Sequence, residues 1–292
     1  MDLIQIKKYI ESKNLRLSKS LGQNLLIDDD KLQNIIKQSD LSSQDLVIEI
    51  GPGIGTLSAE LAKKCGKLIL IEIDQQFIPV LEDILNDGIR DGKVEIMLTD
   101  ALKVDYALIC GSRMEQDANL KNIKVIANLP YYITTPVIIK LILAIPQAER
   151  MIFMLQKEAA DRIISATSKK EYGILSVLAQ FYSKPCIVDI LAPECFFPRP
   201  SVESCLIVMK RESGFPDDRV FLQFFMKIVQ ASFNQRRKTL VNSLGGSGIV
   251  PDGKLFLEQM LVSNGISIRT RAEELTCLQF AEIAKRIFNK NL

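Results

Sequence analysis

EIGPGIGTL, at residues 49–57, is the stretch on which the fold turns. The run before it, LVIEI (46–50), is short and apolar, and Thr56–Lys64 after it has helical spacing. The glycines therefore sit where a strand passes into a helix. In an α/β sheet that junction, at the carboxyl end of a strand, is where ligands bind. Gly51, Gly53 and Gly55 let the backbone approach a ligand with no Cβ in the way. The spacing is G-x-G-x-G with Pro52 inside it, which departs from the G-x-G-x-x-G of dinucleotide loops. Such a loop suits a nucleoside without a pyrophosphate. Taken alone it also fits a plain tight turn, so its neighbours must decide.

Further apolar runs follow at KLILIEID (67–74), VEIMLTD (94–100), KVIANLP (124–130) and MIFMLQ (151–156). Helical stretches separate them at Gln75–Leu85, Ile133–Ala144 and Lys157–Ser165. Strands apolar throughout and alternating with helices predict a parallel sheet covered on both faces. CIVDIL (186–191) and ESCLIVMK (203–210) complete the sheet. Residues 106–123 are polar and irregular and read as a surface loop. Beyond residue 214 only helical periodicity remains. The expected parts are a basic N-terminal arm (1–22), an α/β domain (23–213) and a smaller all-helical C-terminal domain (214–292).

The 292 residues are 47% hydrophobic and 25% charged, an ordinary globular composition with enough apolar residues for a large core. Val137–Ile145 is too short, and too interrupted by Lys140, to span a membrane. The N-terminal residues have no apolar core and no cleavage site, so no signal peptide is expected. There is no histidine, which excludes Ser-His-Asp nucleophiles, H-E-x-x-H zinc sites and any imidazole base. The six cysteines form no C-x-x-C pair and are expected as reduced, buried thiols in the cytoplasm. A catalytic transition metal is not expected. Residues 1–22 hold five Lys/Arg against two acids, and residues 232–292 hold nine against five. The stretch between them carries 23 basic and 28 acidic residues, so both ends are positive relative to the body.

Ligand-type residues stand at three successive strand ends, the glycine loop being the first. Glu72 closes the second strand, 21 residues after Gly51, where an acid accepts from both ribose hydroxyls. Asp74 follows and reads as a helix N-cap. Asp100, ending the third strand in TDAL, can accept from the amine of an adenine ring. Together with the glycine loop they form the constellation of S-adenosylmethionine-dependent methyltransferases. Upstream, Gln23 and Asn24 in KSLGQNLL (19–26) are amides suited to the methionine end of that cofactor.

The fourth strand ends in NLPYYITTP (128–136), facing the same crevice. An exocyclic base amine is a poor nucleophile because its lone pair is conjugated into the ring. Asn128 offers a side-chain carbonyl and Leu129 a backbone carbonyl, with Pro130 fixing the local angle. Two acceptors on the amine hydrogens localise the lone pair toward an incoming methyl group. Tyr131 stacks on the base, a contact worth about 1–3 kcal/mol. No general base is needed before attack, in keeping with the missing histidine. Tyr132 reads as packing, and Thr134–Pro136 as the start of the next helix. In CFFPRPSVESCLIV (195–208), Phe196 or Phe197 supplies a second aromatic face. SFNQRRKTLVNSL (232–244) clusters Arg236, Arg237 and Lys238 as a phosphate contact.

SLGQNLL, EIGPGIGTL, IEID, TDAL, NLPYYITTP, FMLQKEAADR, FFPRPSVES and FNQRRKTLVNSL occur in the order of the ribosomal RNA adenine dimethyltransferase family, and the chain resembles that family from about Ser18 to its end. The likeness is greatest to the bacterial small-subunit branch. The resemblance implies a Rossmann-like class I methyltransferase domain with a helical C-terminal domain. It implies S-adenosyl-L-methionine as cofactor and dimethylation of two adjacent adenosines in the 3′-terminal hairpin loop of 16S rRNA. The implied partner is 16S rRNA in immature 30S subunits, with the chain acting as a monomer and away from membranes. Asn24, Leu26, Gly51, Glu72, Asp100 and Asn128 match the family's cofactor-contacting positions. Asn128, Leu129, Pro130 and Tyr131 match its catalytic N-L-P-Y. Phe196 matches the Phe of its F-x-P-x-P segment and is thereby preferred to Phe197. Leu25 departs from the usual Phe, which bears on packing of the N-terminal segment.

Two other readings stand beside this one. A sibling group dimethylates one adenosine of 23S rRNA and confers macrolide resistance; Leu129 and the full FNQRRKTL segment favour the small-subunit branch. A non-catalytic assembly or transcription factor on the same fold would have no need of Glu72 or an intact 128–131.

Overall fold

The structure, a computed structural model, describes residues 3–13, 15–18, 21–130 and 132–291, so Tyr131 lies outside the described residues. The strands in chain order are β1 (Leu25–Leu26), β2 (Asp45–Ile50), β3 (Lys67–Glu72), β4 (Val94–Leu98), β5 (Asn122–Asn128), β6 (Arg150–Gln156), β7 (Cys186–Leu191), β8 (Phe196–Phe197) and β9 (Ser204–Lys210). Seven of them form one sheet in the order β4-β3-β2-β5-β6-β9-β7. Its first five strands are parallel, and β9 runs antiparallel to both β6 and β7. β2 is buried along its whole length, as a central strand of a sheet covered on both faces must be. The edge strands β4 and β7 are partly exposed.

Strands β3, β4 and β5 stop earlier than their apolar runs. Asp74, Asp100 and Pro130 therefore lie in the loops just past the carboxyl ends, while Glu72 and Asn128 are the last strand residues. The strand order reverses at β2, whose neighbours are β3 on one side and β5 on the other. That is the switch point where a crevice opens. The helix Thr56–Lys64 leaves the glycine loop with Leu57, Ser58 and Leu61 buried. Its two lysines occupy the last turn, where they oppose the helix dipole.

The expected loop at 106–123 is instead a helix, Tyr106–Gln116, followed by a short turn and then β5. Asp105 caps it, accepting from the Leu108 N–H at 3.0 Å. Only Tyr106 and Cys110, one turn apart, are buried, so the apolar stripe is too thin to read from sequence. A bidentate pair from Arg113 to Glu95, at 2.9 and 2.7 Å, ties the exposed side to β4.

The chain divides into two units. The first takes the chain up to Ala160 together with Cys186–Arg211, and the second takes Asp161–Pro185 with the residues from Glu212 onward. The expected boundary at 213/214 therefore misses residues 161–185, which belong with the helices. The helix Ile174–Tyr182 is apolar on nearly every face. The rings of Phe181 and Tyr182 stand 5.1 and 5.2 Å from that of Phe215, and Phe181 is 4.7 Å from Phe225. The second unit is otherwise built on the helices Arg219–Phe233, Gly253–Ser263 and Cys277–Asn291.

At the amino ends of the central strands, away from the glycine loop, Lys124 is buried beside Asp45 at 3.0 Å. Lys124 also donates to the Asp40 carbonyl. Burial alone would raise the Asp45 carboxyl. Hydrogen bonds from the Asn122 amide, the Ser42 N–H and Lys124 outweigh it and hold the group below its ordinary value. A depressed folded-state pKa contributes stability above the unfolded value of about 3.9, and that contribution is lost as pH falls through the folded value. Lys124→Met leaves the Asp45 carboxylate buried without its cation, and is expected to cost about 3–5 kcal/mol in urea denaturation at pH 7. The double variant Lys124→Met/Asp45→Leu should recover most of that loss; additive losses would contradict the pairing.

Candidate active site

The loop between β2 and the helix Thr56–Lys64 is shaped by left-handed glycines. Gly51 and Gly53 have φ of 71° and 55°, a region L side chains rarely adopt. At Gly53 a Cβ would also lie 2.9 Å from Leu25 Cδ2. The loop is clamped to the next strand end, for Glu72 Oε2 accepts from the Gly53 N–H at 3.2 Å. Glu72 Oε1 accepts from the N–H groups of Ile73 and Asp74, both at 2.8 Å. Burial pushes the Glu72 carboxyl up; these three donors oppose the rise and the nearby Asp74 adds to it. Its Oε1 is occupied by the protein, so Oε2 is the oxygen with room to accept a ligand hydroxyl.

Asn24, Leu26, Gly51, Gly53, Glu72, Asp100, Asn128 and Pro130 all line one cavity at the carboxyl edge of the sheet. Asp100 keeps its place through Oδ1, which accepts from the Leu102 N–H at 2.8 Å. Asn24 is held by β1, which pairs with β8 through Leu25–Phe197 and Leu26–Phe196. The Asn128 side chain is oriented by this neighbour: its Nδ2 donates to the Asn24 carbonyl at 2.8 Å. With Nδ2 so engaged, Oδ1 is the atom the side chain presents as acceptor. The turn after it is pinned twice, because the Pro130 carbonyl accepts from the Ile133 N–H at 3.2 Å and the Thr134 hydroxyl at 3.1 Å.

Several residues stand differently from the sequence reading. Phe196 does not line the cavity. It is 3% exposed and packs in the apolar core beside Leu25 and Leu26, because pairing with β1 draws it inward. The Leu129 side chain is buried as well, leaving only its backbone as a candidate contact. Tyr131 is outside the described residues. Tyr132, expected as packing, is 56% exposed and lines the cavity. Gln23 spends both ends of its amide on the protein: Oε1 accepts from the Ser18 N–H at 2.6 Å and Nε2 donates to Asp74 Oδ2 at 2.7 Å. Asp74 caps the turn Gln75–Phe77 through the Gln76 N–H, as expected, and also binds the side chain of Gln76. Gln76 in turn bonds the Arg16 backbone at both its N–H and its carbonyl, so Arg16 and Gln23 are both tied to the end of β3.

Glu49, one residue before Ile50 at the end of β2, carried no assignment in the sequence reading. It lines the same cavity at 2% exposure. Its Oε2 has no hydrogen-bond partner, and neither does the buried Ser58 hydroxyl near it. Burial, with the neighbouring Glu72 adding to it, pushes the Glu49 carboxyl up to about 8, against a partial opposing effect of Ser58. An acid inside an otherwise apolar central strand was the available signal.

In the helical unit, Arg236 is committed to its own fold. It donates to the carbonyls of Lys170 and Tyr172 at 3.0 and 3.1 Å and pairs with Glu273 at 2.9 Å. Arg237 and Lys238 are exposed on the turn after the helix Arg219–Phe233. Arg236 is exposed as well, but its guanidinium is engaged; among the described residues Arg237 and Lys238 are the members of the expected basic cluster whose side chains are left without a partner.

An acidic, amide-lined cavity with a glycine wall fits a nucleoside carrying positive charge. The unpartnered Glu49 oxygen is the feature such a ligand would use. Among the described residues there is no cluster of side chains that could hold a metal ion, and no helix is long and apolar enough to cross a membrane.

The chain is similar to known proteins over nearly its whole length. The family described as ribosomal RNA adenine dimethylase matches residues 14–289. A Clostridium perfringens protein named ribosomal RNA small subunit methyltransferase A is 39% identical over 285 residues, covering 97% of this chain and 95% of the relative. A Halothermothrix orenii protein of the same name is 40% identical over 286 residues, covering 98% and 91%. The fold is that of a solved dimethyladenosine transferase from Plasmodium falciparum, at 22% identity, a TM-score of 0.73 and coverage of 92% and 98%. It is also that of the 23S rRNA methyltransferase ErmE, at 19% identity, a TM-score of 0.64 and coverage of 91% and 100%. With a family match over nearly its whole length and relatives of this similarity, the chain belongs to the ribosomal RNA adenine dimethylase family, whose members are methyltransferases that use S-adenosylmethionine.

Proposed function

We propose that the chain dimethylates the exocyclic N6 amines of two adjacent adenosines in the 3′-terminal hairpin loop of 16S rRNA, acting as a cytoplasmic monomer on immature 30S subunits. The observation that carries the reading is the fixed amide of Asn128, whose Nδ2 is spent on the Asn24 carbonyl so that Oδ1 is left as an acceptor. When bound, the cofactor supplies a methyl group on a positively charged sulfur. The chain's own residues do the rest. Asn24, Leu26, Gly51, Gly53, Glu72 and Asp100 hold and orient the cofactor. Asn128 Oδ1 and the Leu129 carbonyl accept the two amine hydrogens, and Tyr131 stacks on the target base. Gripping those hydrogens turns the nitrogen lone pair out of conjugation. The proton leaves only after the nitrogen has become cationic, so no side-chain base is required. Small-subunit RNA is preferred over the 23S alternative because relatives at 39–40% identity carry the small-subunit name, whereas the 23S enzyme shares only the fold.

The reading is tested by methyl incorporation from labelled cofactor into immature 30S particles, free 16S rRNA and 50S particles. Incorporation into the 30S particles, up to four methyl groups each, is expected; incorporation confined to 50S particles would overturn it.

Asn128→Ala should lower the single-turnover methylation rate by about 10²–10³-fold, the loss typical of one positioned polar group. Its affinity for the RNA should stay within threefold of wild type in filter binding. Wild-type rates in that variant would remove Asn128 from the mechanism. Arg237→Ala and Lys238→Ala should each weaken RNA binding and lower the slope of log affinity against log salt by about 1. Arg236→Ala should instead lower the melting temperature, since its donors hold the segment around Lys170 and Tyr172. A salt slope unchanged in both exposed-residue variants would place RNA contact elsewhere.

A further inference from the structure

Among the described residues, Glu49 is the buried ionisable group in the cavity with an oxygen, Oε2, that has no hydrogen-bond partner. A carboxylate taken from water into such a site is unstable unless it meets donors or a cation. No cation faces it, and the one hydroxyl that opposes the rise, that of Ser58, makes no formed hydrogen bond to it. Glu72, on the adjacent β3, adds negative charge, and Asp100 lies on the same cavity wall. Cys65, after the helix Thr56–Lys64, carries a thiol that burial pushes up to about 11, so it stays neutral. Lys124 on the neighbouring β5 is committed to Asp45 and the Asp40 carbonyl at the other end of the strands. On the covering helix Thr56 lines the same cavity, and the buried Ser58 hydroxyl lacks a partner as well. The group is therefore stable as a neutral acid when no cation is present, and as an anion when one is.

We propose that Glu49 is protonated in the free protein and releases its proton when the positive charge of the cofactor enters the cavity, making it a selector for a cationic ligand. The balance is simple. The carboxyl O–H bond breaks, the proton passes to solvent, and the resulting carboxylate is left against the ligand's positive charge. That charge has two sources, the sulfonium and the ammonium of the methionine part. S-adenosylhomocysteine keeps the second and lacks the first, so it separates them.

The proposal rests on the cofactor reading given above. Its linkage has a definite sign. Cofactor affinity should rise as pH increases toward 8, by at most tenfold per unit, and level off above. In the free protein the raised carboxyl stabilises the fold below its ordinary value near 4.5, and that contribution is lost as pH rises through about 8.

Isothermal titration calorimetry of the full chain at pH 7.0, in buffers of different ionisation heat, counts the protons. Wild type should release close to one proton per S-adenosylmethionine bound, and Glu49→Gln none, with an affinity independent of pH between 6 and 8. Release with S-adenosylhomocysteine as well assigns the ammonium; release with S-adenosylmethionine alone assigns the sulfonium; either supports the coupling. Binding by wild type without proton release, or equal release by Glu49→Gln, overturns it. No binding of either compound would instead overturn the cofactor reading, and this proposal with it. Should Glu49→Gln fail to fold, infrared difference spectra of the wild-type protein decide. A protonated-carboxyl band near that of a buried acid must disappear on cofactor binding; its persistence refutes the proposal.

Discussion

The hydrogen bond from Asn128 Nδ2 to the Asn24 carbonyl is where two pieces of the chain distant in sequence are brought into one site. One partner ends a central strand of the parallel sheet. The other lies in the N-terminal segment, held down by the short β1–β8 ladder and by the Ile27 N–H donating to the Cys195 carbonyl at 2.9 Å. An asparagine amide free to rotate presents a donor as readily as an acceptor. Spending Nδ2 on a backbone carbonyl removes that ambiguity, and it does so only while the N-terminal segment is in place. The residues 104 positions apart in sequence are thus interdependent, and the arrangement of the glycine loop, Glu72 and the Pro130 turn has meaning for chemistry only around a correctly turned Asn128.

Charge is divided in the same spirit. The carboxyl groups of Glu49, Glu72 and Asp100 are gathered at the ends of consecutive strands around one cavity. Such a cavity attracts a cationic nucleoside and repels phosphate, so it holds a cofactor and a base but cannot grip an RNA backbone. The basic residues are concentrated toward the two ends of the chain, as the sequence composition already requires. In the proposed account, binding of RNA phosphates and chemistry on the base are assigned to groups of opposite charge that do not compete for the same ligand.

Much of this was legible beforehand, because it depends on local pattern. Five apolar runs with glycine, acid or amide at their ends read directly as parallel strands feeding a crevice, and all five are there. Side chains that act through distant partners were harder to assign. Arg236 looks like a phosphate contact in FNQRRKTL, but its guanidinium closes on the backbone near Lys170 and Tyr172, far away in sequence. Phe196 looks like an exposed platform before two prolines, yet pairing with Leu26 turns it into core. The helix Tyr106–Gln116 has too narrow a buried stripe to announce itself, and is completed by a cap and an ion pair. Glu49 is masked in the sequence by the apolar residues on either side of it, although a buried acid is costly unless it is paired or hydrogen-bonded.

The central claim is that this site modifies adenine amines of small-subunit RNA. Mass-spectrometric mapping of ribosomal RNA from a dimethylation-deficient bacterial strain expressing this chain tests it most directly. The account predicts two adjacent N6,N6-dimethyladenosines near the 3′ end of 16S rRNA and no new modification in 23S rRNA. Dimethyladenosine appearing only in 23S rRNA, or unmodified 16S rRNA despite abundant folded protein, would contradict it.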